Sequence, residues 1–280
     1  MTMQMGIIGV GNMGEALLAG ALKSGMPRAD ITFMQRSDER ANYISKNYGI
    51  RRVDIAEIAS SDLLLLCVKP KDIADMCMTL KEYLKTGSTI ISVAAGKTIE
   101  GIQSILGPGV GVIRVMPNTP TFIGKGAAGI SYGPSVSEDV KIFVKKLFSA
   151  SGIAIEVPED LQAAVTATSG SGPAYFFAFV EAMIAGGIKL GLSEKDATEL
   201  TIQTIVGAAA MSHAKATTLI LVTNTVAARQ WRDELLRRTT LNEDEIGEYS
   251  GAKKEIRPVT IATYQVMTKK KNGVYAHLDL

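Results

Sequence analysis

The chain has 280 residues, which at ~150 residues per domain is enough for two domains. Its 46% hydrophobic and 21% charged residues are typical of a globular protein with an ordinary core. A formal net charge of +2 gives no general attraction to nucleic acids or anionic membranes, and two cysteines are too few for a disulfide framework.

The start of the chain and its apolar stretches bear on its location. No positively charged segment followed by an apolar core opens the chain, so we expect no signal peptide. The longest apolar stretch, 174–188, is interrupted by Glu181 and is shorter than the ~20 residues that a membrane helix needs. We therefore expect a cytoplasmic protein with no membrane partner, and we do not expect nucleic acid as a partner.

A glycine-rich turn follows the first predicted strand. Residues 5–8 predict a buried strand, and 15–23 carry apolar residues at helical spacing. Between them lies the G-x-G-x-x-G sequence Gly9-Val10-Gly11-Asn12-Met13-Gly14. Gly9 permits a tight turn, Gly11 lets the backbone approach a pyrophosphate, and Gly14 lets helix and strand pack closely. Because a helix N-terminus attracts anions, the motif predicts a dinucleotide site, with a plain glycine-rich turn as the alternative.

The end of the second predicted strand, 31–34, bears on the choice of dinucleotide. In NAD-binding units an Asp or Glu usually follows this strand and holds the ribose 2′-hydroxyl. Here the sequence is Gln35-Arg36-Ser37, in which Arg36 offers a planar fork for phosphate and Ser37 a hydroxyl donor. We therefore predict NADP, with NAD possible; the alternative is that Arg36 is an ordinary surface residue.

Strand and helix patterns then alternate along the chain, which predicts a Rossmann-type doubly wound α/β fold with a parallel sheet and helices on both faces. The predicted helices are 38–48, 72–84, 98–106 and 137–148. The predicted strands are 62–68, 88–94, 110–115, 126–132 and 153–157.

Ligands of such sheets collect at the carboxyl ends of the strands. For the cofactor these positions are Cys67-Val68-Lys69-Pro70 and Ala94-Ala95-Gly96. Nearer the substrate we place Met116-Pro117-Asn118-Thr119-Pro120. Asn118 is a candidate to hydrogen-bond a nicotinamide carboxamide or a substrate, and an Asx turn before Pro120 is the alternative.

After about residue 159 the sequence becomes helical and rich in alanine. The segment Thr168-Ser169-Gly170-Ser171-Gly172 has small residues that could wrap closely around a ligand. Pro173 suits the first position of the long apolar helix that follows, which we expect to be buried between helices or at a subunit interface. Ser193 is predicted to cap a further helix, 194–211.

Several motifs between residues 5 and 206 occur in the order that is found in pyrroline-5-carboxylate reductases, and the chain resembles that family. They are Gly9-Val10-Gly11-Asn12-Met13-Gly14, Val68-Lys69-Pro70, Ser92-Val93-Ala94-Ala95-Gly96, Arg114-Val115-Met116-Pro117-Asn118-Thr119-Pro120 and Ala164-Val165-Thr166-Ala167-Thr168-Ser169-Gly170-Ser171-Gly172-Pro173-Ala174-Tyr175. The resemblance implies NAD(P)H-dependent reduction of the cyclic imine 1-pyrroline-5-carboxylate to L-proline, the last step of proline biosynthesis. It also implies a Rossmann domain joined to a helical domain that forms a homodimer or a higher homo-oligomer.

Beyond about Val206 this resemblance ends. The family continues with a Ser-Pro-Gly-Gly loop that binds the substrate across the dimer, and no Pro-Gly-Gly occurs in this chain. Because a protonated imine is already electrophilic, the reaction needs positioning more than a metal or a covalent nucleophile. With the positioning loop absent we assign no catalytic residue. We expect severe loss of turnover with retained NADPH binding, and the family's dimer is not assured for this chain.

The segment after the break resembles an internal piece of an XPB-type DNA helicase. Residues 216–225 predict a strand that leads into a helix at 226–231, similar to helicase motif Ia, and 257–265 predict a second strand, similar to the next DNA-backbone motif. The corresponding Walker A positions are Ile202-Gln203-Thr204, without the phosphate-binding lysine, and no Asp-Glu-x-His box follows. We therefore predict a chimeric chain, with a diverged reductase tail as the alternative.

These boundaries divide the chain into three predicted parts. Residues 1–158 are an NADP-binding Rossmann domain, 159–213 a truncated helical dimerisation and substrate domain, and 214–280 a helicase-like α/β tail. Because the two strands of the tail have no sheet partners in the reductase fold, we expect it to pack loosely.

Two alternative functions remain open. One is a non-catalytic nucleotide-binding fragment or a weak DNA-binding fragment, the latter through basic residues of the tail, namely Arg229, Arg232, Arg237, Arg238 and Lys269-Lys270-Lys271. The other is a β-hydroxyacid-type dehydrogenase, whose catalytic lysine usually follows a Gly-Gly pair by two helical turns. Lys189 follows Gly186-Gly187 by only two residues, which disfavours it.

Overall fold

A computed structural model of the chain describes residues 3–214 and 218–263. Its contacts divide the chain into two compact units, Met1–Phe179 and Val180–Leu280, with the boundary inside one long helix. The three-part division predicted from the sequence has different boundaries and stays a prediction.

The first unit contains an eight-stranded sheet of order β3-β2-β1-β4-β5-β6-β7-β8. The strands are β1 (Met5–Ile8), β2 (Ile31–Met34), β3 (Arg51–Arg52), β4 (Leu63–Leu66), β5 (Thr89–Ser92), β6 (Gly111–Met116), β7 (Gly126–Tyr132) and β8 (Gly152–Glu156). Strands β2 and β3 are added on one side of β1, and β4 to β8 on the other side. The order of strand addition therefore reverses between β1 and β4, where a doubly wound fold has its ligand crevice.

The predicted Rossmann-type sheet is confirmed, with one correction to its all-parallel pairing. Strands β1 to β6 are parallel, whereas β7 is antiparallel to β6 and parallel to β8. The reason is the length of the connection, because a parallel crossover needs a dozen or more residues. Only nine residues, 117–125, join β6 to β7, and Thr119–Ile123 form a 3₁₀ turn within them.

Helices cover both faces of the sheet, and successive residues of each strand enter opposite cores. Leu63 and Leu65 of β4 pack in one cluster, and Leu64 and Leu66 in the other. The α-helices of the chain are α1 (Asn12–Lys23), α2 (Asp38–Tyr48), α3 (Ile55–Ile58), α4 (Ile73–Lys81), α5 (Ile99–Leu106), α6 (Glu138–Ser149), α7 (Gln162–Val165), α8 (Gly172–Lys189), α9 (Glu194–Ala214) and α10 (Thr225–Arg238). The short elements β3 and α3 were not predicted, since two and four residues carry no usable periodicity.

Residues 159–189 form one continuous helical stretch of varying pitch. A π-helical turn, Thr166–Gly170, joins α7 to α8. By length and composition alone this stretch of 31 residues could cross a membrane, so the expectation that it is too short is corrected. Such a helix is weak evidence for a span, because helices of soluble proteins pass the same test. The aromatic side chains of α8 are exposed in this single chain, among them Tyr175, Phe176 and Phe177.

In the second unit a three-stranded parallel sheet of order β10-β11-β9 follows α9. Its strands are β9 (Thr218–Val222), β10 (Ile246–Tyr249) and β11 (Val259–Thr263). The two predicted strands therefore have partners, each other and an unpredicted third strand, although none belongs to the eight-stranded sheet. A small core of Val222, Ala228, Ile246 and Ile261 lies between this sheet and α10. Lys269–Lys271 of the basic tail lie outside the described residues.

Candidate functional site

The glycine-rich turn between β1 and α1 leaves room that a side chain would fill. Gly9 has a φ of +87°, which L-residues with a side chain rarely adopt. A Cβ atom at Gly14 would lie 2.6 Å from the carbonyl oxygen of Gly9, so helix and strand require glycine there. A Cβ atom at Gly11 would meet no described atom within 4 Å. The open space therefore lies above the middle glycine, where the motif predicts a pyrophosphate.

The first turn of α1 faces this space with its backbone N–H groups. Gly11 is the N-cap, and within the described residues no side chain caps the helix. The N–H groups of the first turn have no intrahelical partners, and the helix dipole makes this end electropositive. The turn therefore fits the diphosphate of a dinucleotide, with Gly11, Asn12 and Met13 at the opening of the helix.

The carboxyl end of β2 lies beside the turn and carries the residues predicted to contact a 2′-phosphate. The Gln35 side chain accepts a hydrogen bond from the Val10 N–H at 3.0 Å and thus ties the turn to β2. Arg36 is exposed at this end of the strand. Ser37 is the N-cap of α2, where its Oγ accepts from the Arg40 N–H at 3.3 Å. The Ser37 hydroxyl thus has a structural role that the sequence did not predict.

Two further predicted cofactor segments follow β4 and β5. Cys67 follows β4, and its N–H donates to the Ile8 carbonyl at 2.8 Å, which places Cys67 and Val68 beside Gly9, with Lys69 and Pro70 next along the chain. The loop after β5 contains Ala94, Ala95 and Gly96, with Gly96 at a φ of +72°. Burial raises the pKa of the Cys67 thiol to about 12, so the thiol is neutral at pH 7.

The amide of Asn118 joins the two segments predicted to lie near the substrate. Its Nδ2 donates to the Ser169 carbonyl at 3.1 Å, and its Oδ1 accepts from the Ala127 N–H at 2.8 Å. The side chain therefore fixes the loop of Met116, Pro117, Thr119 and Pro120 against the π-helical turn that contains Thr168 and Gly170. The Asx turn considered from the sequence is not formed, since within the described residues this side chain caps no turn.

Tight packing at the same place leaves little freedom in the π-helical turn. A Cβ atom at Gly170 would lie 2.6 Å from Cε of Met116, so a larger residue would require the end of the Met116 side chain to move. The Ser171 N–H donates to the Thr166 carbonyl at 2.8 Å and closes the turn, and Gly172 is buried at the start of α8. π-Helical turns are frequent at functional sites, which fits the predicted role of this segment.

The sequence did not single out one cluster that supports the glycine-rich turn. The Arg40 Nε donates to the Val10 carbonyl at 2.8 Å, and one terminal nitrogen of Arg40 bonds the Gly11 carbonyl at 3.3 Å and pairs with the Glu15 carboxylate. The Tyr48 hydroxyl donates to the other oxygen of Glu15 at 2.7 Å. The sequence contained one signal for this cluster. Arg40 lies in the first turn of α2, where a positive charge opposes the helix dipole, and this suggests that it has a specific partner.

Three basic side chains of the tail have acidic partners within the second unit. Arg237 and Arg238 both pair with Glu234, and Arg232 lies 3.8 Å from Glu243. The helicase-like Walker A positions, 202–204, lie inside α9 and form no phosphate loop. Among the described residues no group of three or more His, Cys, Asp or Glu side chains is placed to hold a metal ion.

Two family models match different parts of the chain. Residues 4–96 match the family described as NADP oxidoreductase, coenzyme F420-dependent. Residues 159–230 match the pyrroline-5-carboxylate reductase dimerisation family, a match that runs further than the break expected near Val206.

The C-terminal part is similar to a different protein. A DNA 3′-5′ helicase XPB of Kineococcus radiotolerans is 80% identical over 78 residues, which are 28% of this chain and 14% of the helicase. This similarity confirms the predicted resemblance, and the piece is one-seventh of that helicase.

The larger part of the chain is similar in sequence and in structure to pyrroline-5-carboxylate reductases. The pyrroline-5-carboxylate reductase of Mycobacterium tuberculosis is 37% identical over 215 residues, covering 74% of this chain and 73% of the relative. The structure of the pyrroline-5-carboxylate reductase of Coxiella burnetii matches with a TM-score of 0.71, at 33% identity over 83% of this chain and 85% of that one. The Plasmodium falciparum pyrroline carboxylate reductase with NADP bound matches with a TM-score of 0.70, at 26% identity over 84% of this chain and 91% of that one. With this similarity extending across the Rossmann sheet and into the helical region, the chain belongs to the pyrroline-5-carboxylate reductase family.

Proposed function

We propose that the chain binds NADPH at the β1–α1 turn and acts on 1-pyrroline-5-carboxylate as its relatives do, with turnover severely reduced. The observation that carries the proposal is the space above Gly11, which opens onto the uncapped N-terminus of α1. When bound, NADPH would supply a hydride for the imine carbon. The protein's own task is to bind, orient and exclude water, which needs no covalent nucleophile.

Each part of the site has a proposed role. The N–H groups at Gly11, Asn12 and Met13 hold the diphosphate, and Arg36 pairs with a 2′-phosphate as a planar fork. Residues 67–70 and 94–96 line the cofactor beside the turn. The loop 116–120 and the turn 168–172, which Asn118 fixes together, lie toward the substrate.

The reduced turnover follows from the missing substrate loop. The Pro-Gly-Gly sequence of the family does not occur in this chain, and the helicase-like segment follows where that loop is expected. A substrate that loses its carboxylate contacts is poorly positioned against the hydride, and poor positioning can cost orders of magnitude in rate.

Two measurements on the purified chain test the function. NADPH binding is followed by nucleotide fluorescence, and NADPH oxidation by absorbance with pyrroline-5-carboxylate, with a full-length relative as the control. We expect binding and little turnover. Turnover equal to that of the relative would show that another segment completes the site, and absence of binding would overturn the proposal.

A second copy of the chain is the proposed partner of α8. The exposed aromatic side chains of this helix and the matched dimerisation family support a homo-oligomer, and burial against a copy would explain the helix without a membrane. Sedimentation at several protein concentrations checks this.

Membrane association and a location other than the cytoplasm are checked by fractionation, in which we expect the chain in the cytoplasmic fraction.

We also propose that the chain is a chimera of a reductase and a helicase piece. The support is the contrast between 37% identity over 215 residues and 80% identity over 78 residues to an unrelated protein. Long-read sequencing of the source locus tests whether the fusion is natural, and an uninterrupted frame in related strains would exclude an assembly artefact.

We expect limited proteolysis to cut first within 214–280, and resistance of this part would contradict the predicted loose packing.

A further inference from the structure

We propose that Arg40 is a positioning residue of the glycine-rich turn, which directs the N–H groups of the turn toward the diphosphate and neutralises Glu15. This inference rests on the proposed binding of NADPH. It deepens that proposal, because Arg40 lies on α2, outside the glycine motif and outside the segments predicted to touch the cofactor.

The first step concerns the direction of two peptide groups. The Arg40 guanidinium donates to the carbonyls of Val10 and Gly11, at 2.8 Å and 3.3 Å, and the Gly11 carbonyl also accepts the first helical hydrogen bond, from the Glu15 N–H at 2.9 Å. In a trans peptide the carbonyl and the N–H of one unit point in opposite directions. The N–H groups of Gly11 and Asn12 therefore point away from Arg40. Arg40 therefore orients the Val10–Gly11 peptide, while α1 already orients the Gly11–Asn12 peptide, and the opposite side of the turn presents both donors to an anion.

The second step concerns charge. Glu15 lies in the first turn of α1, so its carboxylate lies close to the place proposed for the diphosphate. An uncompensated carboxylate would repel that anion. Arg40 pairs directly with Glu15, and both side chains are largely buried, with 27% and 15% of their surface exposed. The pair therefore leaves the turn without a net negative charge.

The third step is that the cluster is held in place. The Tyr48 hydroxyl donates to Glu15 at 2.7 Å, and the Arg40 guanidinium lies 5.0 Å from the centre of the Tyr43 ring. Burial alone would raise the pKa of the Glu15 carboxyl, but the hydrogen bonds from Tyr48 and Arg40 and the charge of Arg40 outweigh it, so the pKa lies below its ordinary value. Glu15 is therefore ionised at neutral pH and keeps Arg40 in its orientation.

The experiment measures NADPH affinity by fluorescence for the full chain and its variants. Arg40→Met should weaken binding about tenfold or more, since hydrogen bonds from a charged group are lost. Arg40→Lys, which keeps the charge but not the fork, should be intermediate. The double variant Glu15→Gln with Arg40→Met should bind more tightly than Arg40→Met, because the unpaired carboxylate is removed. Arg51→Met is the matched control, since Arg51 pairs with Glu57 away from the turn.

A second ligand separates positioning from general damage. Adenosine 2′-monophosphate has no diphosphate, so its binding, followed by ligand-observed NMR, should be the same in Arg40→Met and the unaltered chain. Equal NADPH affinity in Arg40→Met, a double variant no better than the single one, or parallel loss of both ligands would each overturn the inference. If the unaltered chain bound no NADPH, the proposed function would fail first and the inference with it.

Discussion

The β1–α1 and β9–α10 turns each join a parallel strand to a helix, and they differ in what occupies the start of the helix. At the β1–α1 turn the N-cap is Gly11, and within the described residues no side chain caps the helix. At the β9–α10 turn the N-cap is Asn224, whose Oδ1 accepts from the Ala227 N–H at 2.9 Å. The first turn leaves its donors for an anion, whereas the second satisfies them with its own side chain. A parallel strand that leads through a turn into a helix is therefore not by itself a phosphate site.

The two glycines that follow Gly9 test the first turn most strongly. Gly14→Val should disrupt the fold, by about 1–3 kcal/mol or more, because its Cβ would clash with the Gly9 carbonyl. Gly11→Val should lower the melting temperature only slightly, since its φ of −76° suits any residue and the space is open while valine is a poorer N-cap than glycine, but it should abolish NADPH binding. Calorimetry and fluorescence distinguish the two outcomes. NADPH binding by folded Gly11→Val at the normal affinity would show that the open space is not the cofactor site.

Arg36 tests which dinucleotide the open turn serves. Arg36→Gln should weaken NADPH binding about tenfold, as expected when one charge-assisted pair with phosphate is lost. NADH affinity should stay unchanged, because NADH has no 2′-phosphate. An equal loss for both nucleotides in the fluorescence titration would assign Arg36 a general role in place of a specific one.

Asn224 tests the closed turn. Asn224→Ala should destabilise the second unit by about 1 kcal/mol, the usual value of an N-cap side chain, and should leave NADPH affinity unchanged. Amide hydrogen exchange in α10 measures the local effect. Gln230→Ala on the exposed surface of the same helix is the control, and equal exchange in the two variants would contradict the capping role.

The smallest expected effect is a difference in acid stability between the two regions. The folded pKa of Glu15 lies below the ordinary value of 4.5, so its ionised form contributes stability above that pH and loses it as the pH falls through the folded pKa. Glu15→Gln should therefore melt earlier than the unaltered chain at pH 7, and the difference should shrink below about pH 4.5. Glu234→Gln should show a weaker, salt-sensitive change, since Glu234 and its arginine partners are on the surface. A pH-independent difference for Glu15→Gln would contradict the linkage.

The predictions that held were those whose signal is contained in a short segment. β2 and α2 have the predicted bounds, Ile31–Met34 and Asp38–Tyr48, because the apolar periodicity that marks each element is local. The predicted helix 98–106 is also found, as α5, and the Thr98 side chain caps it by accepting from the Gly101 N–H at 3.0 Å. Elements that were missed, such as β10, have a glycine and a glutamate in four residues and no clean alternation.

The candidate site likewise has parts that the sequence predicted and parts that it did not. The sequence by itself determined the β1–turn–α1 unit, the three glycines and the strand ends where ligands collect, because each depends on residues close together in the chain. Only the tertiary structure decided how those parts are held: Glu15 meets Arg40 and Tyr48 across 25 and 33 residues, and Asn118 meets Ser169 across 51. Such pairs leave no periodic pattern, since their partners come together only when α1, α2 and the end of β6 are packed on one sheet. The direction of β7 was also decided by the tertiary structure. Strand β7 pairs with β6, and the connection between them is too short for a parallel crossover.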